Sequence, residues 1–294
     1  MMPDKTIFVC DYDGTYRTGT NAVPEDFDFE AVREFRRGGG IFGIATERDV
    51  FEIMAIIGVF RGEYDFIVCS SGACAIVRTD NAAVGVRLGS VGVESELPTQ
   101  LYCHGLSPYL VYEIAGLIGS VGADSLVVDS AGFAGGIGMA YDMKRQHEEM
   151  GGMGCNVHFW DGGSFFQDTV GRDALKYLFP VSRVTARFKN ALIADGVVAA
   201  IGYSYPDKVA IHRDGTCFDL TVPEASKVYG IRRVLEFLGE DDGGVWTFGD
   251  SHRDIGMLRE YNGIAVAGSE ASAAGVTKYT AKSVAEAVEI AMKR

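Results

Sequence analysis

Apolar runs alternate with amphipathic segments at both ends of the chain, and this alternation predicts the fold class. Short, uninterrupted apolar runs are typical of strands that are buried on both faces. Such runs lie at residues 6–10, 41–45, 65–69, 245–248 and 263–266. Segments with helical spacing of apolar residues lie at 26–37, 50–60, 226–238 and 283–292. Strand and helix in regular alternation predict an α/β fold with a doubly wound parallel sheet.

The pattern is less regular between residues 79 and 221. We predict helices at 108–118 and 172–178, strands at 125–128, 191–194 and 208–212, and glycine-rich loops at 132–138 and 151–163. We therefore expect a Rossmann-like core formed by residues 1–78 and 222–294, with an inserted α+β domain at 79–221.

Composition and charge narrow the class of protein. The chain of 294 residues is 47% hydrophobic and 23% charged, which is ordinary for a globular protein with a core. Its formal net charge of −13 argues against nucleic acid or an anionic membrane as a partner. Neither a signal peptide nor an apolar run of membrane-spanning length is evident, and the six cysteines lack CxxC spacing. These features predict a reduced, cytoplasmic protein.

Polar side chains follow three of the predicted strands at the point where each strand ends. Asp11 and Asp13 follow the first strand and, being two residues apart, can face one crevice. Thr46 follows the second strand, and Asp250 with Asp254 follows the fourth. An all-oxygen set of ligands suits Mg²⁺ better than zinc.

Each of these residues also has an ordinary interpretation when it is taken alone. The two aspartates can belong to a simple turn, Thr46 can cap a helix, and Asp250 with Asp254 can be an acidic pair at a helix start. Lys227 opens a helix and can reach an anion, although a lone lysine there is usually solvated, and Lys208 is an alternative. Four of the five histidines are interpreted as surface residues, at positions His104, His147, His158 and His252.

Taken together, the motifs resemble those of a known enzyme superfamily. Asp11-Tyr12-Asp13-Gly14-Thr15, then Thr46, then Lys227, then Gly249-Asp250-Ser251 with Asp254, resemble the four motifs of the haloacid dehalogenase superfamily. An insertion between the second and third motifs resembles the Cof-like branch, which includes sugar phosphatases. The resemblance implies that the insertion, residues 79–221, is a cap that sets substrate specificity. Ser71-Gly72-Ala73 and Asp254-Ile255-Gly256-Met257-Leu258 are similar to the Asn-Gly-Ala and Asn-Asp-x-x-Met-Leu stretches of that branch. Two residues depart from its pattern, Glu47 in place of glycine and Arg253 in place of asparagine.

The resemblance implies a role for each motif residue. Asp11 would be the nucleophile and Asp13 the general acid and base. Mg²⁺ would be held by Asp11, by the backbone carbonyl of Asp13 and by Asp250. Thr46 would donate a hydrogen bond to the phosphate, Lys227 would neutralise its charge, and Asp254 would orient Lys227 or a water near the metal.

The implied activity is that of a Mg²⁺-dependent phosphatase working through an aspartyl-phosphate intermediate. Its substrates would be small phosphorylated metabolites, with sugar phosphates the favoured class. Two alternatives stay open, a phosphomutase similar to the phosphomannomutases and a non-catalytic phosphometabolite-binding protein. Glu47 and Arg253 leave the finer substrate preference open.

Overall fold

The computed structural model describes residues 6–18, 24–60, 63–78, 99–130, 154–160, 165–178, 180–266 and 268–294. The chain divides into two compact units. The first comprises Met1–Arg48, Glu52–Leu101 and Ser226–Arg294, and the second comprises Asp49–Phe51 and Tyr102–Ala225. An α/β core is thus assembled from distant parts of the chain, while the capping role of the second unit stays a prediction.

The first unit is built on a mostly parallel sheet, as the alternation predicts. Its strands are β1 (Ile7–Asp11), β2 (Ile41–Ala45), β3 (Phe66–Cys69), β4 (Cys74–Val77), β5 (Thr99–Cys103), β12 (Val245–Gly249), β13 (Asn262–Val266) and β14 (Tyr279–Ala281). They lie in the order β14-β13-β12-β1-β2-β3-β4-β5. β1 pairs in parallel with both β2 and β12, so residues separated by more than 230 positions become neighbours.

Helices of the first unit follow the apolar periodicity of the sequence. They are α1 (Asp26–Arg37), α2 (Val50–Phe60), α5 (Lys227–Leu238), α6 (Ile255–Glu260), α7 (Ala271–Ala274) and α8 (Val284–Met292), and only the first two residues of α2 fall in the second unit. The inward side chains of α1 pack on β1, where the Phe35 and Phe8 rings stack with centroids 3.9 Å apart. Ser226 caps α5, because its hydroxyl accepts a hydrogen bond from the Tyr229 N–H at 3.0 Å. Sequence periodicity and capping together therefore fix where Lys227 starts its helix.

The second unit contains a separate, mainly antiparallel sheet. Its strands are β6 (Ser125–Ser130), β7 (Gly154–Trp160), β8 (Phe165–Gly171), β9 (Val181–Arg187), β10 (Ala210–Asp214) and β11 (Cys217–Thr221). They lie in the order β10-β11-β9-β6-β7-β8, with β6 and β7 parallel. Helices α3 (Pro108–Ser120) and α4 (Ala191–Ser204) contact β9 and β11, respectively. A short 3-10 helix, Arg172–Tyr177, occupies the segment predicted as helix 172–178.

Several predictions within the second unit are wrong. The strand predicted at 191–194 is the first turn of α4, because the Asn190 side chain accepts the Leu192 N–H at 2.7 Å and caps a helix. β7 occupies residues that were assigned to the loop 151–163, and the strand predicted at 208–212 lies at Ala210–Asp214. The loop predicted at 132–138 lies outside the described residues.

No described helix has both the length and the apolar character needed to cross a membrane.

Candidate active site

The first two predicted site residues lie at the end of β1, where Asp11 is the last strand residue, and in the turn that follows, which contains Asp13. This turn is closed by the Tyr16 N–H donating to the Asp11 carbonyl at 3.1 Å and by the Arg17 N–H donating to the Tyr12 carbonyl at 2.8 Å. Gly14 has φ +95°, and a Cβ added there would lie 2.4 Å from Oδ2 of Asp250. A glycine is therefore required both by the backbone conformation and by the close approach of Asp250.

Thr15 fixes Asp250 beside this turn. Its hydroxyl donates to Oδ1 of Asp250 at 2.9 Å, across 235 positions of sequence. β1 and β12 are adjacent parallel strands, so Asp11 and Asp250 emerge at the same edge of the sheet. The carboxyl ends of the two strands thus bring the first and fourth motifs together, as predicted.

Lys227 lies at the centre of the cluster. Its Nζ is 2.6 Å from Oδ1 of Asp11 and 2.7 Å from Oδ1 of Asp254. Oε1 of Glu47 lies 3.0 Å from the same nitrogen. Only 4% of the lysine side chain is exposed, so one buried ammonium group serves three carboxylates. Lys208, the alternative lysine, is an exposed residue of the second unit.

Asp254 is held by both of its oxygens. Oδ1 accepts from Lys227, while Oδ2 accepts from the backbone N–H groups of Asp250 at 3.1 Å and Ser251 at 3.0 Å. Gly249 lies under this carboxyl, since a Cβ added there would be 2.5 Å from Cβ of Asp254. Because both oxygens are engaged, Asp254 is suited to orienting Lys227 and the Asp250 backbone.

Burial and neighbouring charges shift the pKa values of this cluster in opposite directions. Burial raises the pKa of Asp11 well above its usual value, and the charge of Lys227 offsets this only in part. Burial alone would lower the pKa of Lys227, but its three carboxylates raise it well above the usual value. Burial favours a higher pKa for Asp254 too, yet the charge and hydrogen bond of Lys227 bring the pKa below normal. Lys227 is therefore a fixed positive charge.

The donor set fits a hard divalent cation. One carboxylate oxygen from each of Asp11, Asp250 and Asp254 lies within 4.8 Å of the others. Burial raises the pKa of Asp250, against the hydrogen bond from Thr15, and a cation bound beside it would favour the charged carboxylate. Since Asp254 is already engaged, Asp11 and Asp250 are the side chains suited to holding Mg²⁺.

Asp13 lies at the more exposed side of the turn, between two arginines. Nε of Arg48 is 2.6 Å from its Oδ2, and Nη2 of Arg17 is 2.7 Å from its Oδ1. The side chain of Asp13 is 32% exposed. Neither contact was predicted from the sequence, although the spacing of Asp13 and Arg17, four residues apart, is a signal that could have suggested one of them.

Thr46 directly follows Ala45, which is the register partner of Asp11 on β2. It is buried, its N–H donates to the Val68 carbonyl at 2.9 Å, and its hydroxyl accepts the Arg48 N–H at 3.1 Å. The second motif therefore lies beside the first. His252, in contrast, is exposed and contacts Glu270 at 3.2 Å.

The sequence of residues 164–291 matches the family model of haloacid dehalogenase-like hydrolases. The predicted superfamily resemblance is confirmed. The matched segment contains Lys227, Asp250 and Asp254, whereas Asp11 and Thr46 precede it. A comparison with curated protein sequences gives no significant match.

Solved structures with a haloacid dehalogenase-like fold match nearly the whole chain. A haloacid dehalogenase-like hydrolase from Bacteroides thetaiotaomicron has a TM-score of 0.69 and 16% identity, over 97% of this chain and 99% of that one. A protein from Plasmodium vivax, provisionally assigned as a HAD/Cof-like hydrolase, has a TM-score of 0.65 and 15% identity, over 99% and 96%. A subclass IIB sugar phosphatase has a TM-score of 0.60 and 15% identity, over 98% and 97%. At these identities the similarity establishes the fold.

Proposed function

We propose that this protein is a Mg²⁺-dependent phosphatase that hydrolyses small phosphorylated metabolites, with sugar phosphates the favoured class. The observation that carries the proposal is the position of Lys227, within 2.7 Å of both Asp11 and Asp254. These residues come from three separate motifs and meet at the carboxyl edge of a parallel sheet, where ligands of open α/β folds bind. The structural similarity to a sugar phosphatase supports the substrate class.

Asp11 is the proposed nucleophile. One of its oxygens attacks phosphorus in line with the leaving oxygen, and an aspartyl-phosphate forms on the chain. Lys227 holds Oδ1 of Asp11 at 2.6 Å, which orients the carboxylate and places a positive charge beside the transferring group. Mg²⁺, held by Asp11, Asp250 and the Asp13 carbonyl, would supply further charge stabilisation to the phosphoryl oxygens.

Asp13 and Thr46 complete the proposed site. Asp13 gives a proton to the leaving oxygen in the first step and takes one from the attacking water in the second. Since Arg17 and Arg48 bind both oxygens of Asp13, its acid role requires these contacts to loosen when the leaving group arrives. Thr46 donates a hydrogen bond from its hydroxyl to a phosphate oxygen, and Asp254 keeps Lys227 in position.

The test is phosphate release from an aryl phosphate with and without Mg²⁺. We expect Asp11→Asn to lower the turnover by about 1000-fold or more, since loss of a nucleophile removes the main chemical step. Asp26→Asn, a change of the same type at an exposed position of α1, should keep full activity. Turnover that survives Asp11→Asn or an excess of EDTA would contradict the proposal.

Two further assays on the same purified protein test the alternatives, a phosphomutase and a non-catalytic binding protein. A hexose 1-phosphate supplied with a trace of bisphosphate gives free phosphate if the protein is a phosphatase, and an isomeric phosphate if it is a mutase. Thermal stabilisation by phosphorylated metabolites without turnover of any of them would identify a binding protein.

A further inference from the structure

A second cluster of titratable residues lies within the second unit. Asp129 on β6 is the register partner of Arg183 on β9 and of His158 on β7. Directly opposed residues of neighbouring strands project from the same face of a sheet, so these three side chains form a row across it. Asp49, which also belongs to this unit, joins the row through Arg183.

Arg183 binds the two carboxylates of the cluster. Its Nη2 is 2.5 Å from Oδ2 of Asp49, and its Nε is 2.9 Å from Oδ2 of Asp129. The two aspartate side chains are only 2% and 5% exposed. One guanidinium group thus compensates part of the negative charge of two buried carboxylates and fixes their orientation.

Two buried polar atoms in the cluster have no hydrogen-bond partner among the residues that the structure describes. They are Oδ1 of Asp129 and Nδ1 of His158, which lie 3.1 Å apart without hydrogen-bond geometry. The imidazole is 14% exposed, and its ring lies 4.5 Å from that of Phe51. Buried polar atoms are rarely left without a partner, because each unsatisfied one loses its interaction with water, so a bound partner is expected here.

The spacing of these atoms suits two ligands of one metal ion. Ligand atoms about 2.0–2.1 Å from a tetrahedral ion are separated by about 3.3 Å, close to the 3.1 Å observed here. One ligand atom from each of Asp49, Asp129 and His158 lies within 4.8 Å of the others. Imidazole nitrogen with carboxylate oxygens is a donor set that divalent transition metals prefer.

We propose that Asp49, Asp129 and His158 form a second metal site, which binds Zn²⁺ or a similar transition-metal ion and is distinct from the Asp11 cluster. Arg183 is a positioning residue that holds the carboxylates through hydrogen bonds, as outer residues do in metal sites. Because Arg183 already supplies one positive charge, the affinity is expected to be lower than that of a zinc finger. The bound ion would tie Asp49 to β6 and β7 and satisfy both unpartnered atoms.

The experiment measures Zn²⁺ retained by the full-length protein after dialysis in an excess of Mg²⁺, which occupies all-oxygen sites. We expect about one Zn²⁺ ion per chain. His158→Gln should weaken Zn²⁺ binding by at least about 100-fold, because even the mutation of a residue that only hydrogen-bonds to a metal ligand lowers metal affinity by about 10–100-fold. His104→Gln is the matched control, since His104 also faces a carboxylate, Glu224 at 3.5 Å, but is 46% exposed.

X-ray absorption at the zinc edge, measured on the unaltered protein, gives a readout that does not depend on the folding of a variant. The expected spectrum contains an imidazole ligand together with oxygen ligands. An oxygen-only spectrum, no retained Zn²⁺, or equal retention by the His158→Gln and unaltered proteins would each overturn the proposal. These readouts are independent of phosphatase activity.

Discussion

Lys227 is the residue on which the candidate site depends most. It is the shared cation of Asp11, Asp254 and Glu47, and it is almost fully buried. Removal of one partner from a buried ion pair leaves the others uncompensated, which typically costs about 3–5 kcal/mol. We therefore expect Lys227→Met to lower the free energy of unfolding in Mg²⁺-free urea titrations by about that amount, and to abolish turnover.

Lys208→Met is the matched control for this prediction. The side chain of Lys208 is exposed, so its replacement should change the unfolding free energy by less than about 0.5 kcal/mol. Equal stability of the Lys227→Met and unaltered proteins would mean that the ammonium group does not compensate Asp11 and Asp254 in solution.

Glu47 is the residue that departs from the Thr-Gly-Arg pattern of the Cof-like branch. Its carboxylate is 3.0 Å from Nζ of Lys227 and 23% exposed, so it competes with an incoming phosphate for the same ammonium group. Partly solvated pairs of this kind are worth up to about 1 kcal/mol. Glu47→Gln should therefore lower the KM for an aryl phosphate by about two- to fivefold.

The control for Glu47→Gln is Glu34→Gln, which removes one negative charge from an exposed position of α1. A KM that falls equally in both variants would trace the effect to net charge. A higher KM for Glu47→Gln would indicate instead that Glu47 helps to position Lys227.

The sequence was informative about residues whose neighbours along the chain define a motif. Asp11 ends β1 and Lys227 starts α5, while Asp250 follows β12 and Asp254 directly precedes α6. These positions are recognisable from the residues next to them, which is why the sequence predicted them at the crevice. The contact between Glu47 and Lys227 spans 180 positions, and no local pattern encodes it. His158 was interpreted as a surface residue, but its burial depends on the pairing of β6 with β7 and on Phe51, which only the folded chain brings together.

At the scale of elements, strong periodicity gave accurate predictions. The bounds predicted for α1, α2 and β2 coincide with those observed, because their apolar patterns are unambiguous and glycines or polar residues flank them. The segment 191–194 is too short for its apolar residues to distinguish a strand from a helix. Its helix becomes evident only over three turns, in which Ala194, Val197 and Ile201 are buried.

The contact between α1 and α8 contains a buried carboxyl with a testable pH dependence. Oδ1 of Asp28 accepts the Ala285 N–H at 2.7 Å in the first turn of α8. Burial raises the pKa of Asp28, although this hydrogen bond acts in the opposite direction. A raised pKa in the folded state means that the protonated carboxyl stabilises the fold at low pH, and that this stabilisation is lost as the pH rises through the folded-state pKa.

Asp28→Asn keeps an oxygen acceptor for the Ala285 N–H but cannot ionise. We therefore expect its free energy of unfolding, relative to the unaltered protein, to increase between pH 3 and pH 7. Urea titrations across this range, with Asp26→Asn as the exposed control, measure the difference. A relative stability that decreases with pH would mean that the hydrogen bond outweighs the cost of burying the charge.

At the scale of the whole molecule, the core depends on pairing between the two ends of the chain. β1 lies between β2 and β12, so the first unit is complete only when residues after Ala225 have joined those before Tyr102. The sequence predicted this division in outline because the strand–helix alternation stops and then resumes. It did not predict the edge strands β5 and β14 or the neighbouring β4, which are short and have weak patterns.

The net charge of −13 favours the binding of cations at the metal site, as do the carboxylates nearest to that site. Asp11, Asp250, Asp254 and Glu47 surround the single charge of Lys227, so the local field also attracts cations. The Debye length falls from about 30 Å at 0.01 M salt to about 8 Å at 0.15 M. Added salt therefore weakens the attraction between Mg²⁺ and distant carboxylates more than the attraction between Mg²⁺ and its own ligands.

We expect the dissociation constant for Mg²⁺, measured by calorimetry in KCl, to rise by about three- to tenfold over this range of salt. Asp250→Asn should remove most of the binding at both salt concentrations, which identifies the titrated site. A dissociation constant that does not change with KCl would mean that only the directly coordinating carboxylates determine the affinity, and that the acidic surface of the molecule has no part in it.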